Sequence, residues 1–236
     1  SVVQSPPDGN TFLFTTSSVT MVPTIYPKLN FDPQRDLTLI SLITEIPITV
    51  AVRADNPIRD FAGLIARAKA DPGKLTYASG GVGTGNHMAG ELLKKMAGID
   101  MLHVPFRGTA PALTSLYAGD IDILFVSTIE AVPHARQGRI RVLGVGTPHR
   151  VPELPDSPPI ADVVPGYTAT NWYGLFGPRG LPQAIVDRLG VELPKVRDDP
   201  TVKERSAVIG MTMMLTPPEV LRARVEAEVP RWKQLI

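Results

Sequence analysis

The sequence predicts an α/β protein with a parallel sheet, and three observations support this. Short apolar runs alternate with amphipathic stretches through the middle of the chain, the pattern of strand–helix–strand units. One such unit, residues 75–96, places a glycine-rich loop between a strand and a helix. Hydroxyl runs follow two further strands, at Thr15, Thr16, Ser17 and Ser18 and again at Ser127 and Thr128. Open α/β sheets place their ligands at those strand ends.

The turn Pro7, Asp8, Gly9, Asn10 introduces a buried strand over residues 11–15. Serine is also a leading helix N-cap, so the hydroxyls after this strand serve a ligand, a cap, or both. Residues 26–36, rich in Pro and Asp, read as a loop, and residues 37–43 and 48–52 read as two strands. Asn56 and Pro57 open a helix with Phe61, Leu64, Ile65 and Ala68 at helical spacing, and Asp71, Pro72 and Gly73 stop it. The glycine-rich unit follows: a strand to Ser79, a loop with Gly80, Gly81, Gly83, Thr84 and Gly85, and a helix burying Ala89, Leu92, Leu93 and Met96.

Residues 101–104 form a strand and 105–109 a loop, before a helix over 110–117 with Leu113, Leu116 and Tyr117 inward. A strand over 121–125, a hydroxyl loop over 126–128, a helix over 129–136 around Pro133 and a strand over 140–145 complete the alternation. Residues 147–167 are proline-rich with little periodicity and read as a surface connection. A strand over 172–177 leads to a helix over 181–196, with Pro182 near its start where proline is tolerated, and helix continues over 201–208. The chain closes with a strand over 211–215 and a helix over 217–236 kinked at Pro230.

Composition narrows the function. A net charge of +1 with scattered basic residues gives no footprint for nucleic acid. The absence of cysteine excludes disulfides, thiol catalysis and Cys-ligated zinc. No apolar run approaches a membrane span, and residues 1–9 lack the basic and apolar regions of a signal peptide.

No G-x-S-x-G, H-E-x-x-H or P-loop lysine pattern occurs. The histidines 87, 103, 134 and 149 are far apart; His87, in the first turn of the glycine-loop helix, reads as a packing group before a ligand. Asp120 and Asp122 share a strand face but make a poor metal site on their own. Arg107, at the carboxyl end of a strand, is either a carboxylate partner or a solvated side chain. Glycines let backbone approach a ligand, and a helix N-terminus aims unpaired N–H groups and partial positive charge at it. Hydroxyl and amide loops without catalytic machinery suit binding of a small anion, with no cofactor and no metal.

Several motifs then occur together and in order: Pro7-Asp8-Gly9; Tyr77-Ala78-Ser79-Gly80 with Gly83-Thr84 and His87 to Leu92; Val104-Pro105-Phe106-Arg107-Gly108; Pro111-Ala112-Leu113; Gly119-Asp120-Ile121-Asp122; Pro133-His134; and Trp172-Tyr173-Gly174-Leu175. From about Pro6 onward the chain resembles the Bug-type receptors, the extracytoplasmic substrate-binding proteins of tripartite tricarboxylate transporters. The resemblance implies a type II periplasmic binding protein fold, two lobes with a ligand cleft between them. Residues 1–52 and 171–236 would form the first lobe and residues 53–170 the second. It implies a small carboxylate ligand, no catalysis, a periplasmic location, a monomer, and transient contact with membrane transporter subunits. The ligand would meet Thr16, Ser17 and Ser18 from the first lobe. From the second it would meet Ser79, Gly81, Gly83, Thr84, Gly85 and Asn86, then Arg107, Gly108 and Thr109, then Ser127 and Thr128.

Two departures accompany the resemblance. The family's signal peptide and its following strand, Pro-Phe-x-Pro-Gly-Gly loop, helix and strand do not occur in this sequence. Many relatives carry Asp in the loop where this chain has Val126, which implies a ligand without an amino group. Two alternatives stand beside the receptor. One is a nucleotide-using α/β enzyme, against which Val104 is followed by Pro105 and not by an acid. The other is a ligand-sensing module uncoupled from transport.

Overall fold

The computed structural model describes every residue except Ser1, Pro27, Asn30, Phe31, Ile209, Gly210 and Ile236. The middle of the expected 26–36 loop and the last residue of the expected terminal helix therefore lie outside the described residues. The chain divides into two compact units, one of Ser1–Glu45 with Trp172–Ile236 and one of Ile46–Asn171.

The elements in chain order are β1 (Leu13–Thr16), α1 (Ser18–Ile25), α2 (Pro33–Asp36), β2 (Leu37–Arg53), α3 (Phe61–Ala70), β3 (Thr76–Ser79), α4 (Gly85–Ala97), β4 (Leu102–Pro105) and α5 (Thr109–Ala118). They continue with β5 (Ile123–Ser127), α6 (Thr128–Arg136), β6 (Ile140–Val145), β7 (Thr170–Pro178), α7 (Gln183–Asp198), α8 (Pro200–Val208), β8 (Thr212–Met213) and α9 (Pro218–Leu235).

In the first unit, β1 pairs antiparallel with β7, Leu13 opposite Phe176, and the middle of β2 pairs with β8, Thr44 opposite Met213. Its core joins Val19, Leu37, Leu39, Leu42, Trp172, Phe176, Leu221 and Val225. The Trp172 indole is fully buried and donates to Glu228 Oε1 at 2.9 Å. Burial raises the Glu228 pKa, while hydrogen bonds from Trp172, Trp232 and Thr20 and the Arg224 charge oppose the rise.

In the second unit the strands run β6, β2, β5, β3, β4. β4, β3 and β5 are mutually parallel, with Tyr77 opposite both His103 and Ile123, whereas β2 is antiparallel to β5 and β6. The sheet is thus mixed, where the sequence suggested a parallel one. Alternate residues point to opposite faces. Ala78, Leu124 and Val126 pack with Ala112, Leu113 and Leu116 of α5 and Ala131 of α6. Tyr77 and Phe125, on the other face, meet edge to face at 5.3 Å, and the Tyr77 ring lies against Gly90 of α4. Helices therefore cover both faces, as a sheet buried on both sides requires.

Several sequence expectations shift. The two strands expected over 37–43 and 48–52 are one, β2. Pro47 breaks the sequence pattern yet falls between the stretch paired with β8, at Thr44 and Glu45, and the stretch paired with β5 from Ile48. Proline is tolerated where a strand changes partner. β5 begins two residues late, because Asp122 accepts hydrogen bonds from the Thr76 N–H and Oγ1, both at 2.8 Å, and so closes the turn before the strand. That bonding also gives Asp122 a structural role. Met96, expected inward, is 39% exposed, while Met88 is buried.

The 147–167 segment is no surface strap: Val151, Leu154, Ile160, Val164 and Tyr167 are buried. It shows little periodicity because irregular chain buries its side chains singly. Tyr167 Oη donates to the Ala89 carbonyl at 2.9 Å.

Gly146 ties this segment to the sheet. Its N–H donates to the Ile48 carbonyl at 2.7 Å and its carbonyl accepts the Ala169 N–H at 2.8 Å. A Cβ there would lie 2.3 Å from the Ala169 oxygen. Gly146→Ala is expected to cost about 2–3 kcal/mol, since only backbone movement relieves the overlap. Urea unfolding measures it, and an unchanged midpoint would show that the backbone yields freely.

Candidate functional site

Three neighbouring parallel strands of the second unit each feed a helix. β3 leads to α4, β4 to α5 and β5 to α6. Parallel strands end at a common edge, so the three helix N-termini start there. Their N-cap residues are Thr84, Gly108 and Ser127. Each terminus presents backbone N–H groups with partial positive charge.

The first turn is built by its own hydrogen bonds. Thr84 Oγ1 donates to the Gly81 carbonyl at 2.8 Å and accepts the His87 N–H at 3.3 Å, capping α4. Gly81 has φ +135°, and a Cβ there would sit 3.1 Å from the Phe106 carbonyl, so only glycine fits. Gly83 donates its N–H to His87 Nδ1 at 3.3 Å. Ser79 is fully buried; its Oγ accepts the Gly81 N–H at 3.2 Å and shares a 2.8 Å hydrogen bond with His103 Nε2. The Ser79 hydroxyl therefore shapes the turn from beneath. Gly85 and Asn86 open α4, both buried.

The second turn lies beside the first. The Phe106 N–H donates to the Ser79 carbonyl at 3.2 Å and the Gly108 N–H to the Gly80 carbonyl at 3.0 Å. Gly108, at φ +104°, caps α5 without any side-chain hydrogen bond. Thr109 is the first helical residue, and its Oγ1 lies close to Gly80. Arg107 is exposed and makes no ion pair among the described residues.

At the third turn Ser127 ends β5 and Thr128 starts α6, both buried. Asn171 Nδ2 donates to Ser127 Oγ and to Asn86 Oδ1, each at 2.9 Å, joining the starts of α6 and α4. Glu130 in the first turn of α6 is the one acidic side chain in the opening turn of these three helices. Val126 is not in a loop. It is a fully buried β5 residue packed with Ala78 and Leu124. The apolar run extends the strand to Ser127, and the Val126 side chain faces core.

A ring stack supports the first turn from behind. His103 lies 4.7 Å from Tyr77 and 4.2 Å from His87, centroid to centroid. Tyr77 Oη donates to Glu91 Oε1 at 2.5 Å, and burial followed by Glu91 pushes the Tyr77 pKa upward. Burial lowers the His87 pKa, and burial together with His87 lowers that of His103 to about 4. His87 is thus a packing and hydrogen-bonding group, as its place in the sequence suggested.

The hydroxyls of the first unit end β1. Thr16 Oγ1 accepts the Ser18 N–H at 3.3 Å and donates to Ser18 Oγ at 3.0 Å. The Ser17 N–H donates to the Trp172 carbonyl at 2.9 Å. Ser17 Oγ is buried, makes no cap to α1 and has no hydrogen-bond partner among the described residues. An orphaned buried hydroxyl invites a ligand as its partner.

Asn171, and the contacts of His103, escaped the sequence reading. Asn171 directly precedes the Trp172 motif, and His103 stands opposite Tyr77, two residues before Pro105, which is opposite Ser79, but their partners are remote in sequence.

Because folding depresses the His103 pKa from 6.5 to about 4, the unfolded chain binds the proton first as pH falls. Stability from this group is complete above 6.5 and is lost progressively toward about 4. His103→Gln is expected to shrink the drop in urea midpoint between pH 7 and pH 5. An equal drop in both proteins would show that His103 is not the proton acceptor.

The chain is similar along its whole length to a known receptor family. The model of the tripartite tricarboxylate transporter family receptor matches residues 1–236. A relative from Pseudomonas sp. strain P51, the UPF0065 protein in the tcbD-tcbE intergenic region, is 35% identical over 237 residues, covering all of this chain and 70% of its own. The periplasmic binding protein BugD is 29% identical with a TM-score of 0.87, over 99% of this chain and 79% of its own. An R. palustris protein solved with adipate is 30% identical with a TM-score of 0.90, over 99% and 79%. MatC from Rhodopseudomonas palustris, solved with malate, is 29% identical with a TM-score of 0.87, over 99% and 81%. The chain thus has the α/β fold of the periplasmic binding proteins, and it belongs to the family of tripartite tricarboxylate transporter receptors, which bind solutes and are not enzymes.

Proposed function

We propose that this chain is a periplasmic receptor that captures a small carboxylate and presents it, as a monomer in transient contact, to the membrane subunits of a tripartite tricarboxylate-type transporter. The observation that carries the proposal is the common edge of α4, α5 and α6, whose N-caps are threonine, glycine and serine. Such an edge offers backbone N–H groups to an anion. Asn86, Thr109, Ser127 and Thr128 add side-chain donors of neutral charge, and Arg107 adds a guanidinium that matches carboxylate geometry. Gly81, Gly83, Gly85 and Gly108 keep the turns free of Cβ atoms, and Ser79 and Thr84 hold their shape. From the first unit, Thr16, Ser17 and Ser18 are proposed to contribute hydroxyls. Adipate and malate in two similar structures support the ligand class. No described helix is long and apolar enough to cross a membrane.

Titration calorimetry and thermal shift with adipate and malate test the proposal. A bound acid at a hundredfold over its Kd is expected to add about 2.7 kcal/mol of stability, and the matching diamide none. Stabilisation by no carboxylate at all would overturn it. Arg107→Ala is expected to weaken binding about tenfold, the order of one charge-assisted contact. Ser17→Ala separates ligand contact from folding. Removing an unsatisfied buried hydroxyl leaves the unliganded chain as stable or more so, while affinity falls. A variant that is destabilised and binds normally would assign Ser17 to structure alone.

A further inference from the structure

The carboxylate reading names side chains at the helix starts but says nothing of what fixes their direction. We infer that Asn171 is a positioning residue, which sets Asn86 and Ser127 as hydrogen-bond donors toward the ligand; the inference rests on that reading.

Asn86 and Ser127 come from different turns, at the starts of α4 and α6. Both are buried, each 6% exposed. A side-chain amide has one acceptor oxygen and two N–H donors, and a hydroxyl has one donor and two acceptor sites. Asn171 Nδ2 occupies the Asn86 oxygen and a lone pair of Ser127, at 2.9 Å each. What Asn86 keeps for a further partner is its Nδ2 pair, and what Ser127 keeps includes its O–H. Neither side chain is spent on its own helix. Thr84 supplies the cap bond of α4, and Ser127 makes no cap bond to α6. A single amide thus orients two donors from two turns, and the sense of that orientation fits an anion and opposes a neutral acceptor-seeking group.

Asn171 is itself held in place by the backbone around it. Ala169, two residues earlier, is fastened through its N–H to Gly146 and through its carbonyl to the Ile48 N–H. The network therefore hangs from the sheet and not from a loose loop.

The acceptor-only replacement reverses the pattern. With Asn171→Asp, Asn86 Nδ2 and the Ser127 O–H turn inward to the carboxylate, and the helix starts present acceptors instead. Binding of adipate and malate is measured by calorimetry for the unaltered chain, Asn171→Ala and Asn171→Asp. Asn171→Ala is expected to raise Kd about tenfold and Asn171→Asp about a hundredfold or more. A merely structural role is separated by background: in Asn86→Ala/Ser127→Ala, adding Asn171→Ala is expected to change Kd less than twofold, because nothing remains to be oriented. A further tenfold loss in that background, or a single Asn171→Ala that binds like the unaltered chain, overturns the inference.

Should the unaltered chain bind neither acid, the carboxylate reading fails, and positioning is read without ligand. Asn171→Ala must then shift the side-chain amide resonances of Asn86. Unmoved resonances overturn the positioning role itself.

Discussion

A parallel strand that passes directly into a helix aims the helix N-terminus at the carboxyl edge of its sheet, and three adjacent strands of the second unit do this in succession. The orphan N–H groups at those termini need partners, and the rest of the local structure decides which they find. At α4 one is met by Thr84 Oγ1, while the N-cap of α5, a glycine, offers no side chain. The remaining donors define an edge suited to an anion. The glycines and the hydroxyls of the turns elaborate this constraint and do not create it.

The ring stack of Tyr77, His103 and His87 explains why so glycine-rich a turn can hold one shape. Gly81 and Gly83 are conformationally permissive and lose much freedom on ordering. His87 Nδ1 accepts from Gly83, and His103 holds Ser79, which in turn holds Gly81. Two aromatic side chains with little rotational freedom thus fix two glycines that have no side chain to fix them. Gly90 completes the arrangement, since a Cβ there would lie 2.4 Å from the Tyr77 ring.

What could be read from the sequence follows from the range of each interaction. The β3–α4 unit was legible because its strand, its glycines and its helical spacing lie within a few residues of one another. The hydroxyl ends of β1 and β5 were legible for the same reason, though Ser127 and Val126 fell inside the strand. The continuity of β2 was not, because Pro47 is tolerated only through a change of pairing partner set by β8 and β5 far along the chain. The buried residues of the 147–167 segment follow no period at all. Asn171 meets Asn86 and Ser127 across 85 and 44 residues, and the polarity of that meeting depends on which amide atom faces which. The resemblance pointed to these turns but not to how they are braced.

The donors at the helix starts share one further property: none of them titrates where a carboxylic acid does. Backbone N–H groups, hydroxyls and amides carry no exchangeable charge there, and guanidinium groups stay protonated in proteins. Of the paired histidines, His87 spends Nδ1 on the Gly83 N–H and His103 spends Nε2 on Ser79 Oγ. Under the carboxylate reading, the solute's own ionisation then sets where capture begins and ends. Under that reading, fixed dipoles and a permanent positive charge favour the ionised form of an acid, which cannot cross a bilayer unaided, over the neutral form, which can.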